Sequence, residues 1–469
     1  MIESDAPPPP TDKHLIRLRT SIQTYDWGKP GSTSLVAKFA PNSIGPDFEV
    51  DENAHYAETW MGTHPSGPLS LFSSPDTPLL SLISSNPSHY LSTSLLTRTQ
   101  PTTLALSGPT SHSPHLPFIF KILSVGQALP LQAHPDRQLG ERLHKRDGEE
   151  FVDANHKPEI AIAIGDDGSV DGGIGEGVAF LGFVGFRPLD EIKRFLEGVE
   201  ELRRAIGDEG VVKEFVEKPS QEGLKRVYGA LLTRGKESFE EMKKDVNALV
   251  RRVGGRGDGV VNETEAKLLK KVNGQYEEDV GVLATTFFMN LVKLKKGEAI
   301  YCGADEVHAW LEGDIIECMA ISDNVINSAF VPPAERDIST FTSMLTYTSR
   351  PASHWSLQSK PYYATRSRMF NPPLEEFTVL WTSLGGDEEQ GTREVLPKAG
   401  GPMIGIVTKG SKIRFTVEGR RAVGDVAEGL GGGEVEVEEL GEGGVVYVVP
   451  GCEVVVEGEG EVWWAGWLG

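Results

Sequence analysis

Four residues of this chain have side chains that can bind a metal ion: Gln132, His134, Glu159 and His308. Gln132 and His134 are two residues apart, so on an extended strand both side chains point to the same face. Glu159 opens a second alternating stretch after the turn-like segment 155–158, and His308 can close the site from another strand. Imidazole, carboxylate and amide oxygen are ligands that a borderline metal such as zinc accepts. The pattern predicts a metalloenzyme with a mononuclear site in a β-barrel.

Composition limits the classes of partner. The 469 residues carry a net charge of −22, which disfavours nucleic acids and anionic membranes because both demand basic patches. The three cysteines are scattered and odd in number, which indicates a reducing compartment. Residues 1–10 lack the basic start and apolar core of a signal peptide, and no apolar run approaches the ~18–20 residues of a membrane span. We therefore expect a cytoplasmic protein with no nucleic-acid or membrane partner. We take it to be a monomer, although none of these observations fixes the oligomeric state.

The character of the sequence changes along the chain, whose length suits two or three domains. Short strands with Gly and Pro turns dominate residues 1–186, helical spacing dominates 187–285, and strands return in 286–345. Valine-rich alternating segments with regular turns in 346–469 are typical of a small sandwich or barrel. We predict a mainly β protein with a helical insert. Its first barrel is formed by 1–186 and 286–345, its all-α domain by 187–285, and its second barrel by 346–469.

Two local patterns refine this division. Apolar residues recur every three or four positions from Leu189 to Ile206, as on the buried face of an amphipathic helix, with Pro188 in the first turn. Segment 86–115 is rich in Ser, Thr and Pro and predicts a solvated surface loop. Its histidines, His112 and His115, are therefore expected to be loop residues rather than metal ligands.

An ordered set of motifs from residue 25 to about 331 resembles the type I phosphomannose isomerases of the cupin class. The motifs are 25–28 (Tyr-Asp-Trp-Gly), 56–67 (Tyr-Ala-Glu-Thr-Trp-Met-Gly-Thr-His-Pro-Ser-Gly), 116–124 (Leu-Pro-Phe-Ile-Phe-Lys-Ile-Leu-Ser), 131–136 (Leu-Gln-Ala-His-Pro-Asp), 155–159 (Asn-His-Lys-Pro-Glu), 182–188 (Gly-Phe-Val-Gly-Phe-Arg-Pro), 228–232 (Tyr-Gly-Ala-Leu-Leu), 296–299 (Lys-Gly-Glu-Ala), 308–314 (His-Ala-Trp-Leu-Glu-Gly-Asp) and 317–325 (Glu-Cys-Met-Ala-Ile-Ser-Asp-Asn-Val). Each motif alone is a weak signal, whereas the whole set in family order is specific.

The resemblance implies a catalytic cupin (jelly-roll) barrel, an all-α domain and a second cupin-like barrel. It implies one Zn²⁺ per chain, held by Gln132, His134, Glu159 and His308. The implied reaction interconverts mannose 6-phosphate and fructose 6-phosphate, with a proton leaving C2 to form an enediol and returning to C1. Such an enzyme supplies mannose for activation to GDP-mannose and glycoconjugates.

This proton transfer needs an electrophile at the developing oxyanion and a base tuned near neutral pH. Lys157 lies two residues before Glu159, hence on the same face of a regular strand, and is one candidate. Glu317 and Asp323, in the motif 317–325, are the carboxylate candidates. Each also has a structural interpretation, as a lysine in a salt bridge at a barrel rim or as an acid that orders a turn.

Three further residues are candidates for the wall of a substrate pocket. Trp27, Glu58 and Trp310 fall within or beside the family motifs. For the two tryptophans, packing in the core is an equally good interpretation, because large aromatic rings dominate both environments.

Four residues depart from the family pattern at places suited to phosphate contact. Asn327 and Pro333 stand where the family usually has arginine and lysine, and Gln127 and Pro130 stand where it usually has lysine and serine. Each change removes a cation or a hydroxyl, and a charge-assisted hydrogen bond is worth roughly 1.5–3 kcal/mol. The sequence therefore predicts that other residues hold the phosphate.

Lys121, Arg137 and Arg336 are the candidate substitutes, and Arg336 could fold back toward the place of Asn327. Three functions stay open: a mannose-6-phosphate isomerase, a diverged zinc cupin isomerase or epimerase acting on an unphosphorylated sugar, and a non-catalytic sugar-binding paralogue. Retention of the four ligands and of the three proton-transfer candidates argues against the last. The first is therefore the favoured hypothesis.

Overall fold

The computed structural model describes residues 13–98, 114–170, 173–363, 366–385, 392–418 and 435–469, as a mixture of β-sheets and helices. The amino-terminal part consists of short strands with helices between them. Its strands are β1 (Leu15–Arg19), β2 (Ser21–Gln23), β3 (Lys29–Pro30), β4 (His55–Tyr56), β5 (Glu58–Met61), β6 (Ser70–Leu71), β7 (Ser74–Pro78), β8 (Phe118–Val125), β9 (Leu131–Ala133), β10 (Glu159–Ala163) and β11 (Phe180–Phe186). Its helices are α1 (Leu35–Ser43), α2 (Leu79–Ser85), α3 (Pro87–Tyr90), α4 (Thr93–Arg98) and α5 (Arg137–Arg146).

The prediction of a surface loop over residues 86–115 is wrong where the structure describes that segment. Helices α3 and α4 form there because Tyr90, Leu91 and Leu95 are buried and anchor the segment to the core. His115 is buried as well, with its Nδ1 3.1 Å from the carbonyl oxygen of Thr63. Residues 99–113, which include His112, lie outside the described residues.

The middle of the chain is helical, as the apolar spacing predicts. Its helices are α6 (Leu189–Gly198), α7 (Glu200–Ile206), α8 (Glu209–Glu217), α9 (Gln221–Glu237), α10 (Phe239–Val253), α11 (Glu263–Gln275) and α12 (Val280–Leu283), followed by a π-helical turn at Ala284–Phe288. The single stripe from Leu189 to Ile206 is divided into α6 and α7, because the backbone of Val199 is extended. Helix α11 begins with a capping box in which Asn262 and Glu265 each bond the other's backbone N–H.

The rest of the chain returns to strands, with helix α13 (Ile338–Met344) between them. The strands are β12 (Met289–Leu294), β13 (Ala299–Cys302), β14 (His308–Ala320), β15 (Ile326–Ala329), β16 (Ser356–Leu357), β17 (Lys360–Pro361), β18 (Ser367–Phe370), β19 (Thr378–Leu384), β20 (Arg393–Leu396), β21 (Met403–Lys409), β22 (Ile413–Glu418), β23 (Val435–Leu440), β24 (Val445–Val448), β25 (Val454–Glu457) and β26 (Gly460–Gly466).

The larger sheets mix distant parts of the chain. One sheet runs β16-β13-β10-β14-β8-β5-β2, with β9, β11, β12 and β15 attached, and a second runs β17-β18-β19-β26-β21-β24-β1-β6-β7. A smaller sheet runs β20-β25-β22-β23. Strand β1 pairs antiparallel with β24, with Leu15 opposite Val448, so the first strand belongs to the sheet built mainly from the carboxyl-terminal region. The domain boundaries at 186, 285 and 345 stay predictions.

The long strand β14 organises the first sheet around the candidate site. It pairs with β9 at His308, with β8 from Gly313 to Ala320 and with β10 from Ile315 to Met319. Its register against β11 slips by one residue between Trp310 and Glu312. Such a bulge inserts one residue and reverses the alternation of side chains. His308 and Trp310 can therefore face the same side as Glu317 despite their odd spacing from it.

Among the described helices, none combines the length and the apolar character that crossing a bilayer requires.

Candidate active site

Three of the four predicted metal ligands converge at one buried point. Glu159 lies at the start of β10, His308 at the start of β14, and His134 directly after the end of β9. The Nε2 atoms of His134 and His308 lie 3.3 and 3.0 Å from the two carboxylate oxygens of Glu159. All three side chains are buried, and they form a cluster able to hold a metal ion. The fourth residue, Gln132, is opposite His308 in the β9–β14 pairing and lines the same cavity as His134 and Glu159.

Backbone carbonyls orient both imidazole rings. Nδ1 of His134 lies 2.8 Å from the carbonyl oxygen of Asn324, and Nδ1 of His308 lies 3.0 Å from that of Glu306. A proton on each Nδ1 satisfies these acceptors, so Nε2 is the atom of each ring that faces Glu159 and that a metal would bind. Burial, together with the nearby Lys157 ammonium, lowers the pKa of His134 to about 3, so that ring is neutral at physiological pH, as a ligand must be.

These donor atoms fit a zinc ion. Tetrahedral zinc bonds of about 2.0–2.2 Å place neighbouring ligand atoms roughly 3.3–3.6 Å apart. The distance from Glu159 to His134 is 3.3 Å, and the distance from Glu159 to His308, 3.0 Å, is slightly shorter than this range. Glu159 Oε1 and His308 Nε2 are buried without a hydrogen-bond partner, an arrangement that costs free energy unless something else satisfies both atoms. A cation between them would do so.

A row of side chains crosses the sheet beside this cluster. Trp60 on β5, Lys121 on β8 and Glu317 on β14 are consecutive cross-strand partners. The ammonium of Lys121 lies 4.1 Å from the centre of the Trp60 ring, 3.4 Å from Glu58 and 3.6 Å from Glu317. Burial opposes the charge of Lys121, but the adjacent carboxylates raise its pKa above the usual value. Lys121 is therefore a buried, charged partner of these two glutamates.

Glu317 is the carboxylate whose proton affinity is best matched to neutral pH. Burial and the Glu159 carboxylate raise the pKa of Glu317 to about 7, against the opposing effect of Lys121. One of its oxygens accepts a 2.7 Å hydrogen bond from Nε1 of Trp310. Trp310 is fully buried behind Glu317 and does not line the cavity, so its place is structural rather than in the pocket wall.

A cavity of about 630 Å³ opens onto the cluster and collects most of the other predicted residues. Trp27, Glu58, Lys121, Lys157 and Asp323 all line it, as do Gln132, His134, Glu159 and Glu317. Lys157 precedes β10 rather than lying on it, so the turn at 155–158, not strand alternation, brings it to the cavity. Within the described residues, Lys157 forms no ion pair, which leaves its ammonium available to a bound molecule.

The structure does not bring Arg137 to this cavity. Its guanidinium is partly exposed and lies 3.4 Å from Glu376, a residue just before β19, and 3.1 Å from His156. His156 itself lies 2.6 Å from the same carboxylate oxygen. This group therefore ties the turn before β10 to the carboxyl-terminal region of the chain.

Arg336 also lies away from the cavity. Its side chain is buried and pairs with Asp279, and it donates hydrogen bonds to the carbonyl oxygens of Gly235 at 3.2 Å and Val331 at 2.8 Å. Arg336 joins the helical region to the loop after β15 instead of taking the place of Asn327. Asn327 itself lines the cavity, and its Oδ1 is buried without a hydrogen-bond partner.

The helical region supplies a wall that the sequence did not predict. Tyr276, directly after α11, lines the cavity, stacks on Phe330 at 4.7 Å and donates a 2.6 Å hydrogen bond to the carbonyl of Ala128. Nε2 of Gln127 donates to the carbonyl of Gln275, so Gln127 fastens the end of α11 to the cavity rim. No motif marks Tyr276. Tyr25 and Asp26, which also line the cavity, could have been found from their adjacency to Trp27.

The sequence and the fold both match known proteins. The family model described as phosphomannose isomerase type I, catalytic domain, matches residues 15–170. The fold matches that of a mutant of phosphomannose isomerase from Salmonella typhimurium with a TM-score of 0.74 at 20% identity, covering 97% of this chain and 100% of that one. A zinc-bound structure of mannose 6-phosphate isomerase matches with a TM-score of 0.72 at 20% identity, covering 97% of this chain and 99% of that one.

Curated relatives are closer in sequence. The mannose-6-phosphate isomerase of Candida albicans is 34% identical over 465 residues, which is 95% of each chain. That of Saccharomyces cerevisiae is 36% identical over 411 residues, covering 85% of this chain and 89% of its own. Similarity of this extent over nearly the whole length shows common descent and a common fold. The chain therefore belongs to the mannose-6-phosphate isomerase family and is an isomerase.

Proposed function

We propose that this protein is a zinc-dependent isomerase that interconverts mannose 6-phosphate and fructose 6-phosphate through an enediol. The observation that carries the proposal is the cavity in which a buried His-Glu-His cluster meets a carboxylate whose pKa is about 7. We also infer that the two larger sheets form cupin-type barrels and that the protein works in the cytoplasm. Mannose 6-phosphate from this reaction would then be available for activation to GDP-mannose.

The metal site would be formed by His134, Glu159 and His308, with Gln132 as a fourth ligand. When bound there, zinc supplies a Lewis acid that stabilises negative charge on the sugar oxygens as a proton leaves carbon. The neutral His134 ring is in the protonation state that such binding needs. Although burial opposes it, the His308 ring holds the pKa of Glu159 well below its usual range, so this carboxylate is ionised. Against the effect of burial, Cys302 and Glu159 raise the pKa of His308, and a bound metal would take the place of the proton on that ring.

The proton transfer would fall to Glu317. Its carboxylate takes the proton from C2 while the C1 carbonyl oxygen gains one, which gives the enediol; return of a proton to C1 and loss of one from the C2 oxygen gives the ketose. A base with a pKa near the working pH combines a populated ionised form with enough proton affinity. Lys121 holds this carboxylate from β8, and Trp310 fixes its orientation.

Lys157 and Asp323 would complete the site. The unpaired ammonium of Lys157 can polarise a substrate oxygen or shuttle its proton, and Asp323 can accept a hydrogen bond from a sugar hydroxyl. Trp27 and Glu58 would line the place of the sugar ring. Each of these roles rests on the position of the side chain in the cavity lining.

Deuterium labelling in heavy water tests both the reaction and its route. Zinc-loaded protein, an EDTA-stripped sample and a zinc-restored sample would be incubated with mannose 6-phosphate and followed by NMR. We expect fructose 6-phosphate only in the loaded and restored samples, with solvent deuterium at C1. Conversion without any deuterium in product or remaining substrate would contradict a base at Glu317 that exchanges its proton with solvent, and absence of conversion would contradict the function.

A second candidate function, isomerisation of an unphosphorylated sugar, is favoured by the charges of the cavity. Its described lining has two lysines, Lys121 and Lys157, against six carboxylates. Lys121 is already paired with Glu58 and Glu317, so a phosphate dianion would find one available cation there. The orphaned Oδ1 of Asn327 suits a hydroxyl donor rather than a phosphate oxygen.

Replacing Arg336 by alanine should change stability and leave substrate affinity unchanged. The substitution leaves Asp279 buried without its cation, which costs about 3–5 kcal/mol of unfolding free energy in comparable cases. Because Arg336 does not reach the cavity, KM for mannose 6-phosphate should stay within about two-fold. Arg393→Ala, which removes an exposed pair with Glu457, is the control and should cost less than about 1 kcal/mol. A large rise in KM for Arg336→Ala would instead restore it as a phosphate ligand.

A further inference from the structure

A buried carboxylate that does not line the cavity joins two segments of the chain beside the metal cluster. Asp153, in the segment before β10, is 0% exposed. Within the described residues, neither lysine nor arginine pairs with it. The adjacent ring, His64, lies 3.5 Å away through Nε2, and its Nδ1 accepts from the backbone N–H of Ser66, so the ring's own proton is on Nε2. Burying a carboxylate without a lysine or arginine partner costs free energy, so the hydrogen bonds that Asp153 accepts must stabilise it in this position.

The hydrogen bonds of Asp153 join two segments of the chain. One oxygen accepts from the backbone N–H of Asp323 at 2.8 Å. The other accepts from the backbone N–H of Asn155 at 2.9 Å and from the side-chain amide of Asn324 at 3.2 Å. Asp153 therefore fastens the turn that follows β14 to the segment that leads into β10.

Asn324 carries this connection to the metal cluster. Its side-chain nitrogen also donates to the carbonyls of Asp153 and Asn155, each at 3.0 Å, and its own N–H donates to Ser322 at 3.1 Å. These bonds fix the peptide whose carbonyl oxygen accepts from Nδ1 of His134 at 2.8 Å. That contact selects the tautomer of His134 in which Nε2 faces Glu159.

We propose that Asp153 is a positioning residue of the active site: through Asn324 it sets the orientation and tautomer of His134, and through the peptide N–H of Asp323 it holds that carboxylate at the cavity. The inference deepens the proposed function, since it concerns the same metal site. Replacing a group that bonds directly to a metal ligand typically changes metal affinity or activity 10–100-fold. The Asn324 carbonyl is such a group, and Asp153 acts on it through the Asn324 side chain, so this range is the upper bound for Asp153.

The substitution Asp153→Asn is a sharp test. Every donor around Asp153 points at a carboxylate oxygen, so an amide nitrogen at either position would face an N–H group whichever way the side chain turns. Asp147→Asn is the matched control, because Asp147 is exposed in the same region and accepts from the backbone N–H groups of Glu149 and Glu150 through one oxygen alone. An asparagine can keep those bonds.

Metal binding is measured on the whole protein by competition with a chelator, and the geometry of the site by the visible spectrum of the cobalt-substituted form. We expect Asp153→Asn to weaken zinc binding measurably, by up to about 10–100-fold, and to alter the cobalt spectrum, while Asp147→Asn changes neither. Unchanged zinc affinity and an unchanged spectrum would overturn the proposal, even if the melting temperature fell, because a purely structural role predicts that result.

A second variant, Asn324→Ala, tests the proposal in case the Asp153→Asn protein folds poorly. Asn324→Ala keeps Asp153 and the backbone carbonyl that holds His134 but removes the link between them, and the same loss of zinc affinity and spectral change are expected. An Asn324→Ala protein with wild-type zinc affinity and spectrum would overturn the proposal. If wild-type protein itself binds no zinc, the metal site of the proposed function has failed, which is a different result from equal binding by wild type and variants.

Discussion

The Gln132→Ala, His308→Ala double variant is expected to retain no zinc and to lose at least about a thousand-fold of its isomerisation rate. Removing these side chains takes one imidazole and the candidate fourth ligand from the cluster and leaves His134 and Glu159 alone. Lewis-acid stabilisation by a metal is worth several kcal/mol, and each 1.36 kcal/mol is a factor of ten in rate. Zinc per chain after gel filtration and initial rates would be measured on the same samples.

The matched control changes the same two residue types elsewhere. The double variant His354→Ala, Gln358→Ala alters exposed residues that do not line the cavity, and it should keep both zinc and activity. If the Gln132, His308 variant still held one zinc per chain at wild-type affinity, the ligand assignment would be wrong. Loss of zinc without loss of rate would show that the reaction does not need the metal.

Replacement of Glu317 by glutamine is expected to lower kcat by about 10²–10⁴, the usual contribution of a positioned general base. Glutamine keeps an acceptor for Trp310 but gives up the proton-accepting carboxylate. The pKa of Glu317 is raised to about 7, so in the wild type the base is protonated and inactive below that pH and ionised above it. The wild-type kcat should therefore rise with pH through about 7 and then level off, and the variant should lack this rise.

Glu312→Gln is the control for this prediction. Glu312 lies on the same strand, β14, pairs with Lys271 and does not line the cavity, so its loss should leave kcat and its pH dependence unchanged. Melting curves of both variants would show whether lost activity reflects unfolding, since Glu317 also partners Lys121. A Glu317→Gln enzyme with more than about a tenth of the wild-type kcat, or with the same rise near pH 7, would assign the base elsewhere.

The structure places His134, Glu159 and His308 side by side, and their residue types, which suit zinc, are the signal in the sequence that points to such a cluster. The backbone geometry that brings these side chains to one side of the sheet could not be predicted from the sequence. His308 and Glu317 are nine residues apart, so on a regular strand their side chains would lie on opposite faces. The one-residue slip of β14 against β11 corrects this, and a bulge of that kind leaves no periodic signature in a sequence.

The substitutes for phosphate contact show the limit of reasoning from proximity along the chain. Arg336 is nine residues from Asn327, yet its guanidinium is bound by Asp279, a residue of the helical region that is 57 positions away. Arg137 is similarly engaged with Glu376. The carboxylate with which a cation pairs depends on how distant segments pack together. The residues on either side of that cation in the sequence do not predict this packing.

The pairing of β1 with the carboxyl-terminal sheet is another contact between distant segments that the sequence did not predict. Leu15 to Leu18 read as an ordinary strand, and only the register with Val445–Val448 shows which sheet they join. The helices at 86–98 were missed because Ser and Thr dominate the composition there, whereas the buried Tyr90, Leu91 and Leu95 decide the structure. Burial outweighed local composition.

The initial rates of zinc-loaded protein on mannose 6-phosphate and on free mannose, beside an EDTA-stripped control, test the central claim most directly. We predict zinc-dependent turnover of mannose 6-phosphate and at most slight turnover of mannose. Turnover of free mannose alone would contradict the proposed substrate and favour the unphosphorylated sugar, in keeping with the six carboxylates of the cavity. Equal rates with and without zinc would contradict the role of the His134, Glu159 and His308 cluster.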